Sequence, residues 1–306
     1  MRNETGHQNA GHSDAGGGDF TARVAESGKT GTALRGDYRQ MAADYTIDQG
    51  WEQYTAEEHG LWRTLYRRQS ALLARYAAPE FIEGLRRLDV ADGIPDFRRA
   101  SDVLEKATGW RLVAVPGLIP EKEFFEHLAA RRFPVTNWLR RPEEMDYLVE
   151  PDVFHDFFGH VPLLTHPVFA DYLQAYGAKG PQAIAAGALE QLARLYWYMV
   201  EFGLIATRDG LRAYGAGMLS SSGETQFCID SAKPHRVGFD LERVMRTRYR
   251  IDDYQATYFV LDSYDQLFQA TERDFGPLYD RVKGMTEIDP TSVLPSDRIY
   301  GPGRTV

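Results

Sequence analysis

Glu150-Pro151-Asp152-Val153-Phe154-His155-Asp156-Phe157-Phe158-Gly159-His160-Val161-Pro162-Leu163 sets two histidines five positions apart in a run of phenylalanines, and the way that run folds decides what the chain can do. On an α-helix five steps turn about 500°, which leaves the two imidazoles about 140° apart and unable to meet one ion. A break is therefore expected. Gly159 suits a helix end and Pro162 stops the helix from resuming, so a helix from Asp152 to Gly159 followed by a turn would swing His160 back to the face of His155. The same residues allow a second reading, in which one histidine is hydrogen-bonded in the core and the other caps the helix. The spacing is not the zinc pattern of two histidines four apart around a glutamate.

Towards the C-terminus, Leu195-Tyr196-Trp197-Tyr198-Met199-Val200-Glu201-Phe202-Gly203-Leu204-Ile205 places one carboxylate in an apolar, aromatic stretch of a helix expected from Leu189 to Ile205. Burying a lone carboxylate is costly, so Glu201 calls for a partner. Arg194, seven residues earlier on the same side of that helix, leaves open a solvent-facing stripe instead. Two histidines and a carboxylate with other positions open describe the facial triad of non-haem Fe(II) oxygenases. Zinc hydrolysis uses the same ligand types, so ligand chemistry alone does not choose.

The surrounding sequence reads as mainly helical. Thr55 and Glu58 form a capping box ahead of Leu61, Trp62, Leu65, Leu72, Leu73 and Tyr76 at helical spacing. Further helices are expected over Phe81 to Leu88, Phe97 to Thr108, Glu121 to Arg131, Pro167 to Tyr176, Asp240 to Tyr249 and Tyr264 to Lys283. Three short strands are expected, over Trp110 to Val115, Phe133 to Trp138 and Ala256 to Leu261. Residues 1–44 are rich in Gly, Ser, Thr and Ala and read as a disordered tail, with His7 and His12 as tail residues. The expected fold is mainly α, a single domain over 45–306 with a few short β-strands.

Composition narrows the function classes. Hydrophobic residues at 43% and charged residues at 26% are those of a globular protein. The net charge of −9, from 35 Lys and Arg against 44 Asp and Glu, would repel a phosphate backbone, so no nucleic-acid partner is expected. No apolar run is long enough to span a bilayer and no secretory leader is visible, so a cytoplasmic protein without a membrane partner is expected. The single cysteine, Cys228, reads as a small buried residue. No Gly-rich nucleotide fingerprint, Walker pattern or Gly-x-Ser-x-Gly elbow is present, and Ser220-Ser221-Ser222-Gly223-Glu224 reads as a loop.

The segments that frame the histidines carry a resemblance. Pro116-Gly117-Leu118-Ile119-Pro120, Trp138-Leu139-Arg140-Arg141-Pro142, Glu150 to Leu163, Tyr196 to Leu204, and Ala213-Tyr214-Gly215-Ala216-Gly217 leading into Ser220 to Glu224 together resemble the pterin-dependent aromatic amino acid hydroxylases. Within that family the chain looks most like the bacterial enzymes that act on phenylalanine, over roughly residues 47 to 270. The resemblance implies Fe(II) on His155, His160 and Glu201, with no catalytic side chain beyond these ligands. It implies that Arg140 grips the substrate carboxylate as a planar bidentate donor, with Ser220 near that carboxylate and Pro151, Trp197 and Phe202 walling the aromatic ring. It implies a tetrahydropterin, tetrahydrobiopterin or a related one, on Gly117, Leu118, Ile119 and Phe124, with Tyr196 and Glu224 close by.

The implied reaction joins L-phenylalanine, O2 and reduced pterin, in phenylalanine catabolism. Tryptophan hydroxylation is the alternative within the family; a zinc hydrolase and a non-catalytic metal-stabilised accessory protein are the alternatives outside it. Asp156 stands where animal relatives carry glutamate and Leu148 where they carry threonine. The animal enzymes also have an N-terminal regulatory domain and a C-terminal tetramerisation helix, whereas Pro295 to Val306 has no heptads, so a monomer is expected.

Overall fold

The computed structural model describes residues 34–302 except 147, 149 and 252. Its first long helix, α1 (Ala56–Tyr76), begins as the sequence dictates: Glu58 N donates to Thr55 Oγ1 and the Glu58 side chain accepts from Thr55 N. Helices α2 (Pro79–Leu88) and α3 (Phe97–Thr108) follow, and Gly109 in the left-handed conformation (φ 77°) ends α3. Strand β1 (Arg111–Val115), helix α4 (Glu121–Ala129) and strand β2 (Arg132–Thr136) make a parallel two-stranded sheet with Arg111 opposite Arg132.

The second half of the chain surrounds two π-helices, Phe154–His160 and Trp197–Glu201. Between them run α5 (Pro167–Ala186) and α6 (Leu189–Tyr196). After them come β3 (Leu204–Thr207), β4 (Gly210–Ala213), α7 (Ala216–Leu219), α8 (Ser222–Asp230), β5 (His235–Gly238), α9 (Leu241–Arg246), β6 (Thr257–Leu261), α10 (Tyr264–Glu272) and α11 (Gly276–Lys283). The second sheet has the order β4-β3-β6-β5, antiparallel between β3 and β4 and parallel elsewhere. The architecture is mainly α with short strands, as expected from the sequence.

Several boundaries differ from that expectation. The helix expected over Leu189 to Ile205 changes to π geometry at Trp197 and stops at Glu201, and the chain then turns into β3 past Gly203, where a Cβ would meet the Tyr214 hydroxyl at 2.2 Å. Tyr264 to Lys283 is two helices, separated ahead of Pro277, which sits in the first turn of α11. Ser220 to Glu224 is not a free loop: Ser221 caps α8 by accepting from Glu224 N.

Part of the expected tail, residues 34–44, is ordered on the domain. Residues 1–33, with His7 and His12, lie outside the described residues, but 34–44 are docked on the domain. Tyr38 Oη donates to Leu118 O (2.8 Å), Arg132 Nη1 to Asp44 Oδ2 (3.1 Å) and His127 Nε2 to Asp44 O (2.8 Å). A few polar anchors hold this segment, where composition had registered only its lack of apolar bulk.

The core is aromatic where it supports the first π-helix. Phe154 packs edge-on against Trp62 of α1 (5.3 Å between ring centroids) and stacks on Phe158 (4.8 Å); Phe157 faces Phe97 of α3. Each fully buried phenylalanine contributes about 1.5–3 kcal/mol. Three of them anchor this one short helix in the core.

Candidate active site

A helix bonded i→i+5 brings residues five apart to nearly the same face, and His155 and His160 are five apart within the π-helix Phe154–His160. This replaces the expected break at Gly159. The helix continues through that glycine, which is present for another reason: a Cβ there would stand 2.9 Å from the Ala216 Cβ and 3.0 Å from its carbonyl, so only glycine lets α7 approach. Nor does Pro162 stop the chain from winding: a 3-10 helix, Val161–Thr165, follows at once with Pro162 in its first turn, where a missing N–H costs nothing.

Glu201 is the last residue of the second π-helix, where Phe202 N donates to Trp197 O five residues back (3.0 Å). Its Oε2 lies 3.5 Å from His155 Nε2 and its Oε1 3.1 Å from His160 Nε2. One ligand atom from each of the three residues lies within 4.8 Å of the other two. Burial opposes charge on Glu201, but the His160 and His155 imidazoles prevail and hold its carboxyl below the ordinary range. Burial likewise opposes charge on His160, and the Glu201 carboxylate overcomes it and raises the imidazole. A solvent-facing stripe through Glu201 and Arg194 is excluded, since Arg194 is itself buried, paired with Glu190 and Glu287. A metal ion here would take over from the His160 proton as the positive charge facing Glu201.

The donors are oriented from behind. His155 Nδ1 lies 2.9 Å from Ser220 Oγ, and that hydroxyl donates to Ala216 O (2.8 Å). Ser220 was expected at a substrate carboxylate. Its one proton is committed to Ala216, so it accepts from His155. Arg140, expected to grip the same carboxylate with its fork, is likewise engaged: Nε and Nη2 meet Asp152 Oδ2 and Oδ1 at 2.9 and 2.8 Å, with both residues buried. Asp152 also accepts from His155 N (2.9 Å) and Arg140 N (2.9 Å). Its role went unread in the sequence, where it stood inside the quoted motif with only its neighbours assigned. Nη1 and the second hydrogen on Nη2 remain to meet a carboxylate.

Trp197 and Phe202 lie together, 4.9 Å between ring centroids, and Trp197 stacks on Tyr249 at 4.4 Å while its Nε1 donates to Gln255 Oε1 (3.0 Å). Pro151 precedes the buried Asp152, half-buried at the entry to the histidine helix. Gly117, Leu118 and Ile119 form the link between β1 and α4, and Phe124 on α4 meets Tyr196 edge-on at 5.4 Å. Tyr196 in turn lies 6.2 Å from the His160 ring, so an aromatic path joins Phe124 to the triad. Asp156 Oδ2 accepts from Thr136 N (2.8 Å), tying the π-helix to β2.

Glu224, expected close to the pterin, is buried and hydrogen-bonded on the side of β6. Its Oε1 accepts from Tyr258 Oη (2.8 Å) and Gln255 N (3.1 Å), partners outside the group formed by Gly117, Leu118, Ile119, Phe124 and Tyr196. Burial pushes its carboxyl up to about 7.

The chain is similar to known proteins over most of its length. The family profile of the biopterin-dependent aromatic amino acid hydroxylases matches residues 29–282. A phenylalanine-4-hydroxylase of Chromobacterium violaceum is 59% identical over 263 residues, covering 86% of this chain and 89% of the relative. One from Caulobacter vibrioides is 56% identical over 261 residues, covering 85% and 89%. The iron- and phenylalanine-bound crystal structure of the Chromobacterium violaceum phenylalanine hydroxylase superposes with a TM-score of 0.81 at 55% identity, covering 92% of this chain and 100% of that one. A cobalt-bound structure of the same enzyme gives 0.84 at 56% identity, covering 92% and 99%.

Proposed function

The chain belongs to the biopterin-dependent aromatic amino acid hydroxylases, and on that premise we propose that His155, His160 and Glu201 hold the Fe(II) with which it converts L-phenylalanine to L-tyrosine. The enzyme is an iron- and biopterin-dependent phenylalanine 4-monooxygenase; the tryptophan and zinc-hydrolase readings give way to the phenylalanine activity of its relatives. The observation that carries the residue assignment is the meeting of two imidazole nitrogens and one carboxylate, drawn from two π-helices, within 4.8 Å. Two histidines and one carboxylate fit ferrous iron and leave positions open on it.

Iron bound there supplies the O2 chemistry, with two electrons from the tetrahydropterin. The protein's own residues supply placement. Ser220 fixes the His155 tautomer so that Nε2 presents its lone pair. Asp152 fixes Arg140 and the start of the histidine helix together, so that the guanidinium's remaining donors face a carboxylate from a set direction. Trp197, Phe202 and Pro151 offer apolar faces to the phenyl ring and keep water from it. Gly117, Leu118, Ile119, Phe124 and Tyr196 take the pterin, Phe124 by stacking.

The protein is read as a cytoplasmic monomer without nucleic-acid or membrane partners. Its charge of −9 supports the lack of a nucleic-acid partner. Among the described residues no helix is long and apolar enough to cross a membrane. Metal analysis after loading tests the assignment: one Fe(II) per chain is expected, lost in Glu201→Ala and in His160→Ala. Full iron content in both variants would overturn it. Sedimentation at a single monomer mass tests the oligomeric state.

A further inference from the structure

The loop of residues 116–119 has no sheet or helix of its own, and its carbonyls are held by side chains from elsewhere. Trp138 Nε1 donates to Pro116 O (3.0 Å) and Tyr38 Oη to Leu118 O (2.8 Å). Tyr38 comes from the 34–44 segment, which crosses this loop closely. A Cβ on Gly36 would stand 1.7 Å from Pro116 O, and a Cβ on Gly117 would stand 3.0 Å from Tyr38 Oη. Arg35 lies over the Trp138 ring (4.7 Å) and pairs with Glu144 (2.7 Å), so the strap also braces the residue that holds Pro116. Burial, with the Glu150 carboxylate nearby, pushes the Tyr38 phenol up to about 12, which keeps it a donor at working pH.

A pterin ring carries an amide, an amino group and ring nitrogens, and a loop without side-chain donors can meet these only with its backbone. Backbone groups recognise a ring only when they are held still. Resting on the reading of Gly117, Leu118 and Ile119 as the pterin loop, we propose that Tyr38 is a positioning residue for the tetrahydropterin, the anchor of a strap over 34–44 that fixes this loop. The strap touches neither the triad nor Arg140 by any hydrogen bond of Tyr38, so its effect falls on pterin affinity rather than on iron or phenylalanine.

The test uses the full iron-loaded chain, with 7,8-dihydrobiopterin as the probe in calorimetric titrations. Tyr38→Phe keeps the ring and removes one hydrogen bond, so its dissociation constant is expected to rise about 3- to 10-fold. Gly36→Ala, which lifts the strap off Pro116 without touching Tyr38, should weaken binding in the same direction. Both should speed amide hydrogen exchange at Gly117, Leu118 and Ile119, raise the KM for tetrahydropterin, and leave iron content and the KM for phenylalanine unchanged. Phe124→Ala serves as the control for the site itself. Binding lost in Phe124→Ala but unchanged in Tyr38→Phe overturns the proposal and leaves the pterin site standing. Binding unchanged in Phe124→Ala overturns the pterin site, and the proposal with it.

Discussion

Ser220 Oγ lies 2.9 Å from His155 Nδ1 and gives its own proton to Ala216 O, so His155 carries its hydrogen on Nδ1 and turns a bare Nε2 towards His160 and Glu201. A neutral imidazole without such a partner is free to place its proton on either nitrogen. Replacing Ser220 with Ala removes the acceptor. We expect metal affinity to fall about 10- to 100-fold, the usual consequence of losing an orienting partner. Competition for Co(II) against a chelator measures it, and equal affinities would show that the hydroxyl plays no such part.

Arg140 and Asp152 form a buried bidentate pair that also receives His155 N. Asp152→Ala leaves the guanidinium unpaired in the interior and the histidine helix without its anchor. A loss of about 3–5 kcal/mol in urea unfolding is expected. A loss below about 1 kcal/mol would mean that water replaces the carboxylate without difficulty.

Gly215 faces the backbone of Glu201: a Cβ there would stand 2.3 Å from Glu201 O. Backbone against backbone cannot yield as a flexible side chain can, so Gly215→Ala displaces the metal ligand itself. Metal sites tolerate about ±0.2 Å in ligand distance. The variant should keep its far-ultraviolet circular dichroism and lose at least tenfold in iron affinity, whereas unchanged affinity would contradict the geometry.

Glu224 titrates from about 7 when folded, against 4.5 for the ordinary carboxyl, because it is buried. The folded state therefore holds the proton more tightly than the unfolded chain. The protonated form's advantage is fully present below about 4.5 and is lost as the pH rises through about 7. Glu224→Gln should remove a downward slope approaching about 1.4 kcal/mol per pH unit across that window, read from urea unfolding at a series of pH values. Parallel curves for the two proteins would contradict it.

What the sequence made legible was local or chemical. The Thr55–Glu58 capping box forms because its partners are three residues apart, and the five-residue spacing of His155 and His160 does rule out an ordinary α-helix. The remedy was not legible. A wider winding leaves no mark in composition and depends on Phe154, Phe157 and Phe158 finding Trp62 and Phe97, residues more than fifty positions away. The pairing of Arg140 with Asp152 is hidden for a similar reason, since it closes across an irregular loop. Strand β5 (His235–Gly238) has no alternating pattern and exists because β6 offers it a partner. The docked 34–44 segment was missed because its anchors are polar and far apart in sequence.

Tyrosine formation from phenylalanine in air, with Fe(II) and a tetrahydropterin and with tryptophan run in parallel, tests most directly that the His155, His160 and Glu201 centre is the site of phenylalanine hydroxylation. The expected result is tyrosine as the main product only when iron and pterin are both present, and none from a folded His155→Ala or His160→Ala variant. Undiminished tyrosine from either variant, or tyrosine formed without iron, would contradict it.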